Sequence, residues 1–240
     1  MKKMIITGAS SGIGKTIAQT LITQGYFVIG LSREKGFEHK HYQHYSIDFA
    51  CPRTLESKLN EIRRSQNDID GVIFSCGMGL FGQIEQLSTA QIKQLMNVNF
   101  ISQAITAKIF LPQMKGRSRG DLIFIGSEAG LQGQTQGSIY CASKFALRGF
   151  CQSLRSECAK ANIRCCIIEP GACRTPFFDK LHFEPGPETV NAIDSSSIAE
   201  AVAFILNLPQ NTIVDELILS PQKKCMRKSI TTLDQPRSRV

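Results

Sequence analysis

Residues 3–14 read Lys3-Met4-Ile5-Ile6-Thr7-Gly8-Ala9-Ser10-Ser11-Gly12-Ile13-Gly14, and a helical pattern begins at once after them. An apolar run, a glycine-rich turn and then a helix aim free backbone N–H groups and the positive end of a helix dipole at one point. That arrangement suits a pyrophosphate. In this reading Gly8 permits the tight turn, Gly12 lets the backbone approach the phosphates, and Gly14 lets the helix close on the sheet. Ser10, Ser11 and Ile13 complete the turn and join the glycines as candidate cofactor contacts. The spacing is Gly-x-x-x-Gly-x-Gly rather than the commoner Gly-x-Gly-x-x-Gly, so the turn does not identify its ligand unaided.

Outward from this stretch, short β-rich runs alternate with longer helical patterns, which argues for βαβ units and a parallel sheet. Strands are predicted at Lys3–Thr7, Tyr26–Leu31, Gln43–Ile47, Gly71–Ser75, Gly120–Ile125, Arg164–Ile168 and Ile213–Leu219. Several, such as Leu122-Ile123-Phe124-Ile125, are continuous apolar runs, as a sheet covered on both faces requires. Helices are predicted near Gly14–Thr23, Arg53–Arg64, Thr89–Leu111, Ile139–Lys160 and Ile198–Leu206. The connection Glu34–His41 is too short for a full crossover helix. The expected fold is α/β: a Rossmann-type, doubly wound, seven-stranded, mostly parallel sheet in one domain over residues 1–220.

Composition sets limits on function. The amino terminus carries lysines as a signal peptide would, but its apolar stretch stops at Thr7, too short for such a segment. There is no apolar run of membrane-spanning length. Nine cysteines, an odd number with no Cys-x-x-Cys, read as free thiols in a reducing, cytoplasmic setting. The net charge of +8 is concentrated at one end. Lys223, Lys224, Arg227, Lys228, Arg237 and Arg239 against Asp234 give residues 221–240 a charge of +5. That stretch reads as a basic, solvated tail rather than a nucleic-acid face, and removing it should leave activity intact.

The second strand ends Gly30-Leu31-Ser32-Arg33. An acidic residue at that place would accept hydrogen bonds from the ribose 2′-OH of NAD, whereas a hydroxyl and a guanidinium suit a 2′-phosphate. NADP(H) is therefore the expected cofactor. Further on, Tyr140-Cys141-Ala142-Ser143-Lys144 puts a phenol and an ammonium on one helix face. A nearby cation favours the phenolate, which makes Tyr140 a candidate general acid/base. Ser127 ends the fifth apolar strand, where α/β sheets bind ligands. Asn99 lies in the helix before that strand, and Pro170-Gly171-Ala172-Cys173-Arg174-Thr175 follows the sixth.

Together these residues, with Asp48 and Gly77, resemble the short-chain dehydrogenase/reductase family over roughly residues 3–220. The resemblance implies that Tyr140 exchanges a proton with the substrate oxygen while Ser127 orients it. It implies that Lys144 binds the nicotinamide ribose and that Asn99 holds a water through a local helix distortion. Asp48 and Phe49 would flank the adenine. Ser75, Cys76 and Gly77 would border the adenosine ribose. Pro170, Gly171, Cys173 and Thr175 would lie at the carboxamide. Pairing into a homodimer or homotetramer through the two long helices is implied as well.

Two departures stand out. The family's Asn-Asn-Ala-Gly is replaced here by Phe74-Ser75-Cys76-Gly77, and Glu128 follows Ser127 where a small residue is common. Phe177, Phe178, Leu181 and Phe183 suggest a hydrophobic lid, with Met78, Leu80 and Phe81 as an opposite wall. The histidines at 39, 41 and 44 lack the partners of a tetrahedral site, so no metal is expected. The function expected is NADP(H)-dependent interconversion of a small 3-oxo- or 3-hydroxy-type carbonyl and alcohol. The alternatives are a 3-oxoacyl-carrier-protein reductase and a non-catalytic NADP(H) sensor.

Overall fold

The computed structural model describes residues 1–229. Its strands are β1 (Lys3–Thr7), β2 (Phe27–Ser32), β3 (Tyr42–Ser46), β4 (Ile69–Phe74), β5 (Gly120–Ile125), β6 (Ile163–Pro170), β7 (Phe183–Pro185), β8 (Glu216–Leu219) and β9 (Met226–Lys228). Seven of them form one sheet in the order β3-β2-β1-β4-β5-β6-β8, and every neighbouring pair in it is parallel. The chain winds outward from β1 to β3 and then returns through β4 in the other direction. The order reverses between β1 and β4, and the crevice beyond their carboxyl ends is where such sheets bind ligands.

Side chains alternate across the sheet, so each apolar strand supplies two cores. On one face Ile5, Val72, Phe74 and Phe124 pack under α2 (Pro52–Ser65), with Leu55 and Leu59. Phe110 of α4 (Ser102–Gly116) and Leu147 of α5 (Ser138–Cys158) belong to the same core. On the other face Met4, Ile6, Ile73 and Ile168 meet Ile17 and Leu21 of α1 (Gly12–Thr23) and Ile198 and Val202 of α6 (Ser195–Asn207). Phe74 and Phe124 are register partners on β4 and β5 and stack at 4.2 Å. Both are fully buried, so truncating either to Ala should cost about 3–5 kcal/mol. Six of the nine cysteines are buried and all are free, packing as small hydrophobes.

The expected single helix Thr89–Leu111 is two helices joined by a wider turn. Helix α3 (Thr89–Met96) passes through a π-helical segment, Asn97–Ile101, into α4. The β2–β3 connection contains no helix, as its length required.

The tail expected from residue 221 is not where the fold ends. Residues 221–229 run back along the sheet's carboxyl edge, and β9 pairs antiparallel with β7. The lysines and arginines that make the stretch look solvated are indeed exposed, but its main chain is tied down. Lys223 N–H donates to Val190 O at 2.9 Å, and Gly186 N–H donates to Cys225 O at 2.9 Å. Arg227 also pairs with Glu184 at 2.6 Å. Of the expected tail, residues 230–240, with Asp234, Arg237 and Arg239, lie outside the described residues.

Candidate active site

Two adjoining cavities open at the carboxyl edge of the sheet, of about 320 and 570 Å³. Ile13, Ser75, Gly77, Met78, Thr175 and Phe177 line both.

The larger cavity is bordered by the glycine-rich turn, from Gly8 through Ser10, Ser11 and Gly12 to Gly14. Gly8 has φ +71°, a left-handed conformation, and a Cβ there would come 2.9 Å from the Cys76 Cα. A Cβ on Gly14 would meet the Gly8 carbonyl, so the start of α1 seats against the turn only because that Cβ is absent. The turn itself thus makes a cradle of the kind a pyrophosphate needs. Ser32, Arg33, Asp48, Phe49 and Cys76 complete its far side. Arg33 and Asp48 are exposed. The Ser32 hydroxyl donates to Glu34 O at 2.7 Å. Phe49 is only 4 % exposed and belongs to the core, so it offers the cavity little surface.

The altered Ser75-Cys76 stretch is held by partners that no local sequence signal names. Both backbone N–H groups donate to the Thr7 hydroxyl at 3.0 Å, and Gln103 Nε2 donates to Cys76 O at 2.7 Å.

The smaller cavity holds Ser127, Tyr140 and Lys144 together in its wall. Helix α5 carries the last two one turn apart, with the Lys144 ammonium 5.9 Å from the Tyr140 ring centroid. Lys144 Nζ donates to Ile125 O at 3.2 Å, two residues before Ser127. The Ser127 Oγ accepts the Ala129 N–H at 3.2 Å, which leaves its own proton free to donate. Asn99 sits fully buried behind them in the π-helical segment. Its amide exchanges bonds with the Met78 backbone at 2.8 and 3.0 Å and donates to Ser143 Oγ at 3.1 Å. Ser143 in turn donates to Tyr140 O at 2.7 Å, so Asn99 braces α5 from below. Asn99 lines neither cavity.

Burial dominates the electrostatics of these groups. It pushes the Tyr140 phenol up to about 12, against a lowering contribution from the Ser127 hydroxyl. It pushes the Lys144 ammonium down to about 8, against the raising effect of Glu169. The expectation of a phenol lowered by its neighbouring ammonium is therefore not met. Desolvation leads the causes of that rise, and the ammonium, 5.9 Å from the ring, does not offset it.

The walls of the smaller cavity are aromatic. Tyr140, Phe177, Phe178, Phe183 and Phe81 form a closed ring of contacts with centroid spacings of 5.9, 5.2, 6.1, 4.8 and 5.1 Å. Leu181 borders the larger cavity instead. Pro170 and Gly171 line the smaller one, as does Cys173, although its thiol packs into the core. Thr175 caps the following turn by accepting the Phe177 N–H at 3.4 Å. Three more lining residues, Lys224, Cys225 and Met226, come from the stretch read as a tail. Glu128 faces this cavity, its carboxylate accepting from the Ser220 hydroxyl and from Lys224 Nζ. Among the described residues no cluster of His, Cys, Asp or Glu could hold a metal ion. No described helix is long and apolar enough to cross a membrane.

A phenol, an ammonium and a strand-end hydroxyl thus line one cavity, beside a second that is bordered by a glycine cradle. The family model described as short chain dehydrogenase matches residues 2–185, and the chain belongs to that family. It is 34% identical over 176 residues to a 3-ketodihydrosphingosine reductase of Bacteroides thetaiotaomicron, a match covering 73% of this chain and 65% of that protein. It is 34% identical over 193 residues to human retinol dehydrogenase 8, covering 75% and 61%. In both cases less than two thirds of the relative's length is spanned. Among solved structures, an alcohol dehydrogenase from the archaeon Thermococcus sibiricus, complexed with 5-hydroxy-NADP, superposes with a TM-score of 0.80 at 28% identity. That superposition covers 91% of this chain and 96% of the other.

Proposed function

We propose that the chain is an NADP(H)-dependent oxidoreductase that interconverts a carbonyl and a secondary alcohol, working chiefly as a reductase on compounds with an apolar body. The observation that carries this reading is the convergence of Ser127, Tyr140 and Lys144 in the wall of the smaller cavity, which adjoins the one bordered by the glycine turn. The nicotinamide, when bound, supplies the hydride. Ser127 donates a hydrogen bond to the substrate oxygen and orients it. Tyr140 gives that oxygen a proton in reduction and takes one back in oxidation. A phenol held up at about 12 is protonated at neutral pH, which is the form that reduction consumes. Lys144 would bind the nicotinamide ribose, and Asn99 would brace the helix that carries both groups.

Arg33, exposed beside Ser32 at the rim of the larger cavity, would fork onto a 2′-phosphate. The glycine turn would hold the pyrophosphate, Asp48 and Phe49 the adenine, and Ser75, Cys76 and Gly77 the adenosine ribose. Pro170, Gly171, Cys173 and Thr175 would meet the carboxamide. A cavity of about 320 Å³ walled by four phenylalanines favours an apolar ketone of modest size. The names of the two relatives agree with the apolar character of that substrate, though not with its modest size, since 3-ketodihydrosphingosine and retinol both carry long hydrocarbon parts.

Ile101, at the end of the π-helical segment, and Phe145, on α5, are exposed at 36% and 44% and support self-pairing through these elements. Nine free cysteines fit a reducing compartment such as the cytoplasm. The test is a panel of aliphatic and aromatic ketones assayed by loss of NADPH absorbance, with NADH in parallel. Turnover with NADPH, favouring apolar ketones, is expected. No turnover on any member, or a preference for NADH, overturns the corresponding part.

A further inference from the structure

Glu169 is a carboxylate at the end of an apolar strand, 0 % exposed, in a place where a charge is costly. It lies on β6 beside the β5 end that carries Ser127. Its Oε2 accepts the backbone N–H of Ser127 at 2.5 Å, while its Oε1 is buried with no hydrogen-bond partner among the described residues. The surrounding backbone is shaped around it. A Cβ on Gly126 would collide with Oε2, and one on Gly130 would come 3.3 Å from Oε1, so both flanks of the Ser127 turn are glycines that leave room for this carboxylate.

The charged and titratable groups around Glu169 are few. Lys144 and Arg148 face it from α5 and Glu216 from β8. Its charge raises the Lys144 ammonium and the Tyr140 phenol. Lys144 and Glu169 pack together over Gly130, where an added Cβ would lie 3.1 Å from Lys144 O and 3.3 Å from Glu169 Oε1, and Arg148 is already committed to Glu216 at 2.8 Å, so Lys144 is the cation for which Glu169 matters most.

We propose that Glu169 is a positioning residue for proton transfer at Tyr140: its carboxylate clamps the Ser127 backbone, and so seats the Ser127 hydroxyl, while its negative charge keeps Lys144 cationic. This rests on the oxidoreductase reading above. The two actions separate by substitution. A glutamine keeps an oxygen that can accept the Ser127 N–H but carries no charge, whereas an alanine removes both.

Three measurements test it on the full chain. In kcat for ketone reduction, Glu169→Ala should fall by about tenfold or more, because the half-buried Ser127 N–H loses its acceptor. Glu169→Gln should recover most of that loss near pH 6. The alkaline limb of the Glu169→Gln profile should move to lower pH, since removing the carboxylate lowers both Lys144 and Tyr140, and reduction needs both protonated. NADPH affinity, read by fluorescence, should stay within about twofold in both variants, which separates this effect from damage to the fold.

The third measurement needs no turnover: the 13Cε resonance of Lys144, assigned with Lys144→Arg, is titrated in the wild type and in Glu169→Gln. A lower midpoint in the variant is expected. An unmoved midpoint, superimposable pH profiles, or equal losses in the alanine and glutamine variants would overturn the proposal. If the wild type reduces no ketone at all, the oxidoreductase reading fails, and the lysine titration still decides what Glu169 does.

Discussion

The Lys224 ammonium lies 2.8 Å from the Glu128 carboxylate, joining the chain after the last sheet strand to the residue beside Ser127. The Ser220 hydroxyl bonds the same carboxylate, and β9 lies against β7 a few residues on. The smaller cavity is therefore walled on one side by residues that charge alone marks as a loose end.

That geometry reverses the expectation that removing residues 221–240 leaves activity intact. A chain stopped after Ser220 loses Lys224, Cys225 and Met226 from the cavity wall and the strand that supports Phe183. Its KM for ketones should rise by about tenfold or more while NADPH affinity holds, because the larger cavity draws nothing from that stretch. Lys224→Ala alone should raise KM by no more than about fivefold, since its side chain is 66% exposed and such a pair contributes little. Steady-state kinetics with NADPH saturating decides both.

Tyr140→Phe keeps the ring and its contacts with Phe81 and Phe177 but removes the proton. We expect kcat to fall by about 10²–10⁴-fold with the fluorescence of bound NADPH unchanged. A variant with near-normal kcat would take Tyr140 out of the chemistry.

Arg33→Asp places a carboxylate where a 2′-phosphate would lie and where a ribose hydroxyl could donate. The ratio of kcat/KM for NADPH over NADH should drop by about 10²-fold or more. An unchanged ratio would remove Arg33 from cofactor choice.

Glu169 also gives a stability signature. Burial raises its carboxyl from 4.5 to about 7. The folded value is the higher one, so the stability tied to the protonated form is complete below about pH 4.5 and is lost as the pH climbs through about 7. Glu169→Gln never ionises. It should therefore be more stable than the wild type at pH 8 by roughly 1–3 kcal/mol, with the gap closing near pH 4. Thermal melts at the two pH values give the sign directly.

Much of the frame could be read from residues 3–14 and from the apolar runs after them, because buried parallel strands leave a continuous signature. Tyr140, Lys144 and Ser127 were also readable, since their spacing survives folding and all three line one cavity. What escaped the reading was contact between distant segments. Gln103 and Ser143 look like ordinary helix residues until the π-helical turn and α5 bring them against Cys76 and Asn99. Glu169 did leave a trace, as the lone charge closing Cys165-Cys166-Ile167-Ile168, but nothing local says that it faces Ser127. The pairing of Met226-Arg227-Lys228 with Phe183-Glu184-Pro185 is three residues long and mostly charged, so no periodicity announces it.

The cover formed by residues 221–228 is added after all seven strands of the main sheet have been made. During synthesis, the larger cavity can form before the smaller one has its final wall. The same separation leaves this short segment open to exchange: a different sequence there would reshape the smaller cavity while Ser127, Tyr140 and Lys144 stay where they are.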